Sequence, residues 1–378
     1  MDYIYWDNNA TTRLDNRVKS EMLKELNNYG NPSSLYQLGY LAKSELEKTK
    51  EIIASFINCD SEEIIFNSGA SEGNNTILKN DYFQTIITSE IEHASVINTC
   101  KYLKKKGRKI IQVKNDNYGL IDIENLQRLT KNNQGSLVSI IFANNEIGII
   151  QDIKKISEIV HNNGCLLHVD AVQAFGKIPI DVKDLNIDYM TFTSHKIYGP
   201  KGIGAIYKKR NVPFENLIHG GDQENNLRAG TENTLGIIGF GKAVELRIKE
   251  HQNEHKKLNQ LRGYLIRQIA KKIKNISFNI FLKNSLSGTI SITFNGIRDN
   301  LGFVILLNYH KIMVSASSAC HSNSHRSSHV LKAIGLSEEK ANETIRISLG
   351  KYNTREEIDK AIPIIAECVE KFRKNKKE

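Results

Sequence analysis

Seven short apolar runs, separated by segments of helical periodicity, fill the first two-thirds of this 378-residue chain. They are "EIIF" at 63–66, "TIIT" at 85–88, "KIIQV" at 109–113, "LVSIIFA" at 137–143, "CLLHVD" at 165–170, "YMTFT" at 189–193 and "GAIY" at 204–207. In 152–163, Ile153, Ile156, Ile159 and Val160 share one helical face, and Gly164 ends that helix. Strands alternating with helices predict a mostly parallel sheet covered on both faces. "LVSIIFA" is apolar throughout, as a central buried strand should be.

Near residue 250 the texture changes. Residues 251–274 read as a long charged helix, followed by strands "SFNIF" 277–281 and "TISITF" 289–294, a helix near 299–311 and a strand "TIRISL" 344–349. The alternation in "TISITF" predicts an antiparallel sheet with one exposed face. The last helix opens with a capping box, Thr354 to Glu357, and presents Ile358, Ile362, Ile365, Val369 and Phe372. Pro363 inside it should kink the helix or shift its start. With no repeats and no low-complexity linker, the expected division is a large domain over 14–250 and a smaller one from 1–13 and 251–378. The fold class expected is α/β: a large domain with a mostly parallel seven-stranded sheet flanked by helices, plus a smaller α+β domain.

Composition excludes several classes. No apolar run nears the roughly 20 residues that span a bilayer. The N-terminus "MDYIYWDNNATT" lacks the basic head and apolar stretch of a signal peptide, so a cytoplasmic location is expected. The five cysteines, Cys59, Cys100, Cys165, Cys320 and Cys368, show no paired spacing, which argues against a disulfide framework. The net charge is +10, and the lysines are widely spread with local density at 101–109, 256–274 and the tail. These stretches are either solvated helix faces or a docking patch for an acidic partner or RNA. No nucleic-acid module is present, so direct nucleic-acid binding is not expected.

The chemistry-bearing residues cluster at strand ends. In "TFTSHKIYGPKGIGAIY" a histidine and a lysine, His195 and Lys196, end a strand at the sheet edge where open α/β folds bind ligands. Lys196 is either a surface loop lysine or one held and partly desolvated for covalent chemistry. Asp170 ends another strand; it is either a helix cap or a carboxylate for a protonated pyridine nitrogen. "FNSGASEGNN" 66–75 is a strand, a tight turn and a helix start, which offers Gly69, Ala70 and Ser71 as an anion site or as an ordinary capped turn. His93 follows the 85–88 strand, and Asn144, Asn145 and Glu146 follow the 137–143 strand. Five polar strand ends on one edge favour a shared active site.

Taken in order, "YWDNNATT" 5–12, "YGNPSSLYQLG" 29–39, "SGASEGNN" 68–75, "NNEIGIIQ" 144–151, "HVDAVQAFGKIPIDV" 168–182, "SHKIYGPKGIGA" 194–205, "LRAGTEN" 227–233, "SSAC" 317–320 and "TIRISLGKY" 344–352 resemble the cysteine desulfurases of the NifS/IscS type. These are fold type I pyridoxal 5'-phosphate (PLP) enzymes of aminotransferase class V. The resemblance implies that Lys196 holds PLP covalently, Asp170 pairs with the ring nitrogen and His93 stacks on the ring. It further implies Gln173 on the phenolic oxygen, and Ala70, Ser71, Thr193 or Ser194, and His195 on the phosphate. Thr231 would reach the phosphate of a neighbouring subunit in a homodimer. Asn145 and Arg346 would orient the carboxylate of L-cysteine, with Asn8 and Asn31 lining the pocket. Cys320 would be the nucleophile that takes the sulfur as a persulfide and passes it to an acceptor protein, an Fe–S scaffold or a thiolation enzyme.

Two stretches depart from the pattern. The chain reads "GGDQE" at 220–224, where the family often has a third glycine, and "HSNSHRSS" at 321–328 in place of a segment carrying Glu-Pro. A histidine directly after the cysteine resembles selenocysteine lyases and the desulfurases of DNA phosphorothioation, which are the nearest alternatives. Cys320 with His321, His325 and His329 also has the residue types of a zinc site, but zinc would need a closed tetrahedral set. No metal is expected. His321 is the histidine adjacent enough to tune the thiol, and His329 opens a helix as a structural contact.

Overall fold

A computed structural model describes residues 3–316 and 327–374. In chain order its strands are β1 (Ile4–Tyr5), β2 (Ile64–Asn67), β3 (Thr85–Ser89), β4 (Lys109–Val113), β5 (Leu137–Ile141), β6 (Leu166–Asp170), β7 (Tyr189–Thr193), β8 (Gly204–Lys208), β9 (Ile276–Phe278), β10 (Thr289–Phe294), β11 (Ile312–Met313), β12 (Ser315–Ala316) and β13 (Thr344–Ser348). The seven runs of the first two-thirds form one sheet in the order β2-β8-β7-β6-β5-β3-β4. β8 is antiparallel to both its neighbours, and the pairs from β7 across to β4 are parallel. β5 and β7, with helices packed over both faces, are buried at every residue. The helix Ile153–Asn162 buries Ile153, Ile156, Ile159 and Val160 as its periodicity predicts. Gly164 follows it at φ 67°, a conformation that favours glycine.

The second sheet has the order β12-β13-β10-β9 and is antiparallel throughout. Here the structure corrects the sequence reading: all six residues of β10 are buried. Ile290, Ile292 and Phe294 join an apolar cluster on one face. On the other face Thr289 accepts a hydrogen bond from Asn9 Nδ2 at 2.9 Å, and Thr293 meets Thr344 at 2.7 Å. The polar side chains of β10 therefore face an interior in which they find partners, not solvent. The strand expected at 277–281 is shorter, Ile276–Phe278.

The long charged helix begins earlier than its charges suggest, at Thr234, and runs 39 residues to Lys272. Asn233 caps it by accepting from Gly236 N at 3.0 Å. Its first half packs Ile237, Phe240, Ala243 and Val244 into the core of the large sheet. Its second half packs Leu258, Leu261, Leu265 and Ile269 into the other core. Residue 250 therefore lies inside a continuous helix. The N-terminal strand β1 pairs in parallel with β11, and Trp6 is fully buried in the second core. The C-terminal helix starts at Arg355 and continues through Pro363. Its capping box forms as expected, Glu357 N to Thr354 Oγ1 and Thr354 N to Glu357 Oε2. Two arginines of the basic stretches are buried. Arg108 donates to the carbonyls of Leu78, Lys79 and Asn80, at the end of the helix Ala70–Lys79, and Arg262 donates to Ser285 and Leu286. No helix among the described residues is long and apolar enough to cross a membrane.

Candidate active site

The carboxyl ends of β2, β3, β5, β6 and β7 converge on a cavity of about 560 Å³, within the roughly 300–1,000 Å³ usual for small-molecule sites. β2 leads through Gly69 to the N-terminus of the helix Ala70–Lys79, and Gly69, Ala70 and Ser71 line the cavity. The unpaired N–H groups at such a helix start favour an anion. β7 leads to Thr193, His195 and Lys196 on the same wall. Burial and the neighbouring Lys196, Lys201 and Lys177 charges push His195 down to about 4, so its imidazole is neutral at pH 7.

Asp170, the last residue of β6, is buried against the cavity. Its Oδ2 accepts from Asn74 Nδ2 at 2.8 Å, and its Oδ1 from Val172 N at 3.1 Å. A buried carboxylate so held is oriented for a further cationic or protonated partner. His93 caps the helix Ala94–Lys105 by accepting from Ser95 N at Nδ1. Burial lowers the pKa of His93; the Asp170 charge opposes this and the Lys196 charge adds to it. The Lys196 amine donates to the backbone oxygens of Asn9 at 2.5 Å and Ala10 at 2.6 Å. Arg346, on β13 of the other sheet, reaches the same cavity. Its Nη1 donates to Asn145 O at 3.1 Å, its Nη2 pairs with Asp7 at 2.7 Å, and its buried Nε has no partner among the described residues.

Of the residues named from sequence, Ala70, Ser71, His93, Asn145, Asp170, Gln173, Thr193, His195, Lys196 and Arg346 line this one cavity. Four are placed elsewhere. Asn8 turns to Ser348 O at 2.9 Å and its neighbour Asn9 takes the cavity wall. Asn31 is exposed and accepts from Ser33 N. Between the two candidates Thr193 and Ser194, Thr193 lines the cavity. The Ser194 hydroxyl packs against Gly199, where a Cβ would stand 1.9 Å from it. Thr231 is exposed and lines a separate recess beside Ser68 and Gly202. Cys320, His321 and His325 lie outside the described residues. His329 opens a helix and its Nε2 meets Glu92 O at 2.9 Å. Asp222 precedes a short turn of helix, in which the buried Glu224 pairs with Lys50 at 2.8 Å. Among the described residues, no group of three His, Cys, Asp or Glu side chains could hold a metal ion.

Sequence reasoning missed Asn9, which the structure makes a hub. Its carbonyl accepts from Lys196 and from Gln173 Nε2, its Oδ1 from Lys177, and its Nδ2 donates to Asn145 O and Thr289. The doublet Asn8–Asn9 offers no periodicity that would separate the two. Also missed was Glu92, fully buried beside His93, with its carboxyl pushed up to about 8 by burial.

The aminotransferase class-V family model matches residues 4–361. The chain is 40% identical to "Cysteine desulfurase IscS" of Clostridium botulinum, over 98% of this chain and 95% of that protein. A solved structure described as a NifS-like protein superposes with a TM-score of 0.91 at 39% identity, covering 97% of this chain and 99% of the other. A second, described as SspA in complex with cysteine, matches with a TM-score of 0.81 at 34% identity over 93% of this chain and 100% of that one.

Proposed function

The chain belongs to the aminotransferase class-V family, as a cysteine desulfurase of the NifS/IscS type, and from that premise we propose how its residues divide the work. The family is PLP-dependent, and we propose that this chain binds PLP in the cavity of Asp170 and Lys196. The donor set supports it: an amine, a buried carboxylate and a helix N-terminus face one another, matching the aldehyde, ring nitrogen and phosphate of one molecule. The Lys196 amine would hold the aldehyde carbon, and Asp170 the proton on the ring nitrogen. Ala70, Ser71, Thr193 and His195 would hold the phosphate. Gln173 would donate to the phenolic oxygen, and His93 would lie on the ring face. When bound, PLP supplies an electron sink for the charge left at the substrate's Cα.

The chain's own groups do the rest. Arg346 and Asn145 bind and orient the carboxylate of L-cysteine; the Arg346 Nε, without a partner among the described residues, supports that role. Lys196, once free, moves the Cα proton. The Cys320 sulfur attacks the substrate sulfur, the C–S bond breaks as the S–S bond forms, and the carbon fragment regains a proton and leaves as alanine. Burial pushes the thiols of Cys59 and Cys100 up to about 12, which makes them poor nucleophiles and supports Cys320 for the role.

The persulfide sulfur would pass to an acceptor protein for Fe–S assembly or thiolation in the cytoplasm. The exposed Thr231, set apart from its own chain's cavity, supports its reaching the phosphate end of a second copy in a homodimer. Two of the apolar clusters support a division into residues 14–250 and residues 1–13 with 251–378, one drawn from 14–250 except for Leu286 and the other from Trp6 and residues beyond 257.

The observation that carries this reading is the meeting of Lys196, Asp170 and the helix start in one cavity. Alanine production from L-cysteine tests it. Given a thiol reductant to release the persulfide sulfur, wild type should produce alanine and sulfide and show a visible cofactor band, Lys196→Ala should lose that band, and Cys320→Ser should keep the band but lose turnover. Unchanged turnover in Cys320→Ser would refute the nucleophile. Near-silence with L-cysteine beside activity on L-selenocysteine would replace this reading with a lyase.

A further inference from the structure

Lys177 does not line the cavity of Lys196, yet its ammonium touches two residues that do. Its Nζ donates to Gln173 Oε1 at 2.6 Å and to Asn9 Oδ1 at 3.2 Å. Gln173 Nε2 in turn donates to Asn9 O at 2.8 Å, the same oxygen that receives Lys196 Nζ. Behind this group a separate small cavity is lined by Lys177, Tyr198, Arg247 and Glu254.

A carboxamide can present either its oxygen or its NH₂ to a given side, and only its partners decide which. Burial, with the Lys196 charge adding to it, lowers Lys177 to about 7, and the ammonium it carries below that pH has three donors and no acceptor. The Lys177 contact therefore forces the Gln173 oxygen backwards and turns the NH₂ towards Asn9 and the cavity. With one N–H spent on Asn9 O, the other remains for a group bound in front. Without Lys177, the flipped amide could accept from a bound hydroxyl but could not donate to a phenolate.

We propose that Lys177 is a positioning residue that locks Gln173 as a hydrogen-bond donor towards the phenolic oxygen of the bound cofactor. The proposal rests on the cofactor reading given above. It explains why a buried lysine sits behind the cavity, against Gln173 and Asn9 and not on the cavity wall. Asn9 completes the lock, because it takes the second Lys177 donor and the first Gln173 donor.

A double-mutant cycle on the holoenzyme tests it, with cofactor retention read from the visible band during dialysis and with no substrate present. Lys177→Met should weaken retention by about ten-fold, the scale of one charge-assisted hydrogen bond. Gln173→Ala should weaken it similarly, and the double variant should be no worse than Gln173→Ala alone. Lys177→Met retention equal to wild type would overturn the proposal. So would additive losses in the double variant, since they would mean that Lys177 acts other than through Gln173. If Lys177→Met does not fold, Lys177→Gln carries the same cycle, because its amide can also accept and so leaves Gln173 free to flip. A wild type without any Lys196-dependent band would instead be a failure of the cofactor reading, and is told apart at the first measurement.

Discussion

Asp7 Oδ1 lies 2.7 Å from Arg346 Nη2, so the chain leaving β1 is fastened to the arginine that β13 delivers to the cavity. The two residues are 339 apart in sequence. The pair aims the guanidinium and leaves its Nε without a partner among the described residues, on the side proposed for the substrate carboxylate. Arg346→Lys replaces a planar fork with a point charge. KM for L-cysteine should rise by about ten- to a hundred-fold, with the cofactor band unchanged. Asp7→Asn should give a smaller rise in the same parameter. A change confined to kcat in steady-state assays would contradict the assignment.

Asp170 is held by Asn74, and the two should fail differently. Asp170→Asn keeps the shape but removes the charge, so kcat should fall by about a hundred-fold or more. Asn74→Ala leaves the carboxylate in place without its best donor. Urea unfolding should show a loss of about 1–3 kcal/mol, together with partial activity. Full activity in Asp170→Asn would remove the residue from the mechanism.

Gly73 brings the helix Ala70–Lys79 against β7. A Cβ there would stand 2.7 Å from Thr191 Cγ2 and 3.0 Å from Asn67 Nδ2. Gly73→Ala must push the helix away from the sheet, at about 1–3 kcal/mol. Its N-terminus would move with it, so phosphate-end retention of the cofactor should weaken as well. A variant with unchanged melting temperature and unchanged retention would show that the close approach is not needed.

Glu92 and Glu146 give a pH signature. Burial pushes Glu92 up to about 8 and Glu146 up to about 7, with the Arg346 charge and the Ser328 hydroxyl opposing the shift at Glu146. A carboxyl raised in the folded state holds its proton where the unfolded chain has lost it. Its contribution is thus full below about pH 4 and is lost as pH rises through the folded value. Glu92→Gln cannot ionise. Relative to wild type it should gain stability between pH 5 and 8, on the order of 4 kcal/mol at the upper end. Parallel pH profiles of wild type and Glu92→Gln in thermal melts would show that Glu92 titrates normally.

The strands and the reacting edge were legible because they depend on local pattern. Continuous apolar runs marked β2 to β8, and the polar residues at the ends of β2, β3, β5, β6 and β7 marked what that edge presents. Asp170 and Lys196 could be placed on one edge because parallel strands share a direction. Other features were less legible. The charges of 251–274 concealed a helix that starts at Thr234, since its first half is apolar on nearly every side. Alternation in "TISITF" was right about the antiparallel pairing but misled about exposure, because Thr289 and Thr293 are paired inside the molecule rather than by water.

By itself the sequence determined the order of the main strands and helices, the face that helices such as Ile153–Asn162 bury, and the chemical groups delivered to the sheet's carboxyl edge. Those properties follow from side-chain periodicity of about 2 or 3.6 residues, which any short window carries. Only the tertiary structure decided that Asn9 and not Asn8 faces the cavity, that Ser194 turns under Gly199, and that Lys177 stands behind Gln173. It also decided the pairing of Asp7 with Arg346. The placing of Asn9 and the pairing of Asp7 with Arg346 depend on which distant elements pack together, and contacts between residues hundreds of positions apart leave no periodic trace in either segment. Lys177 and Gln173, and Ser194 and Gly199, are close in sequence but lie in short turns and loops, where no helix or strand period aims the side chains.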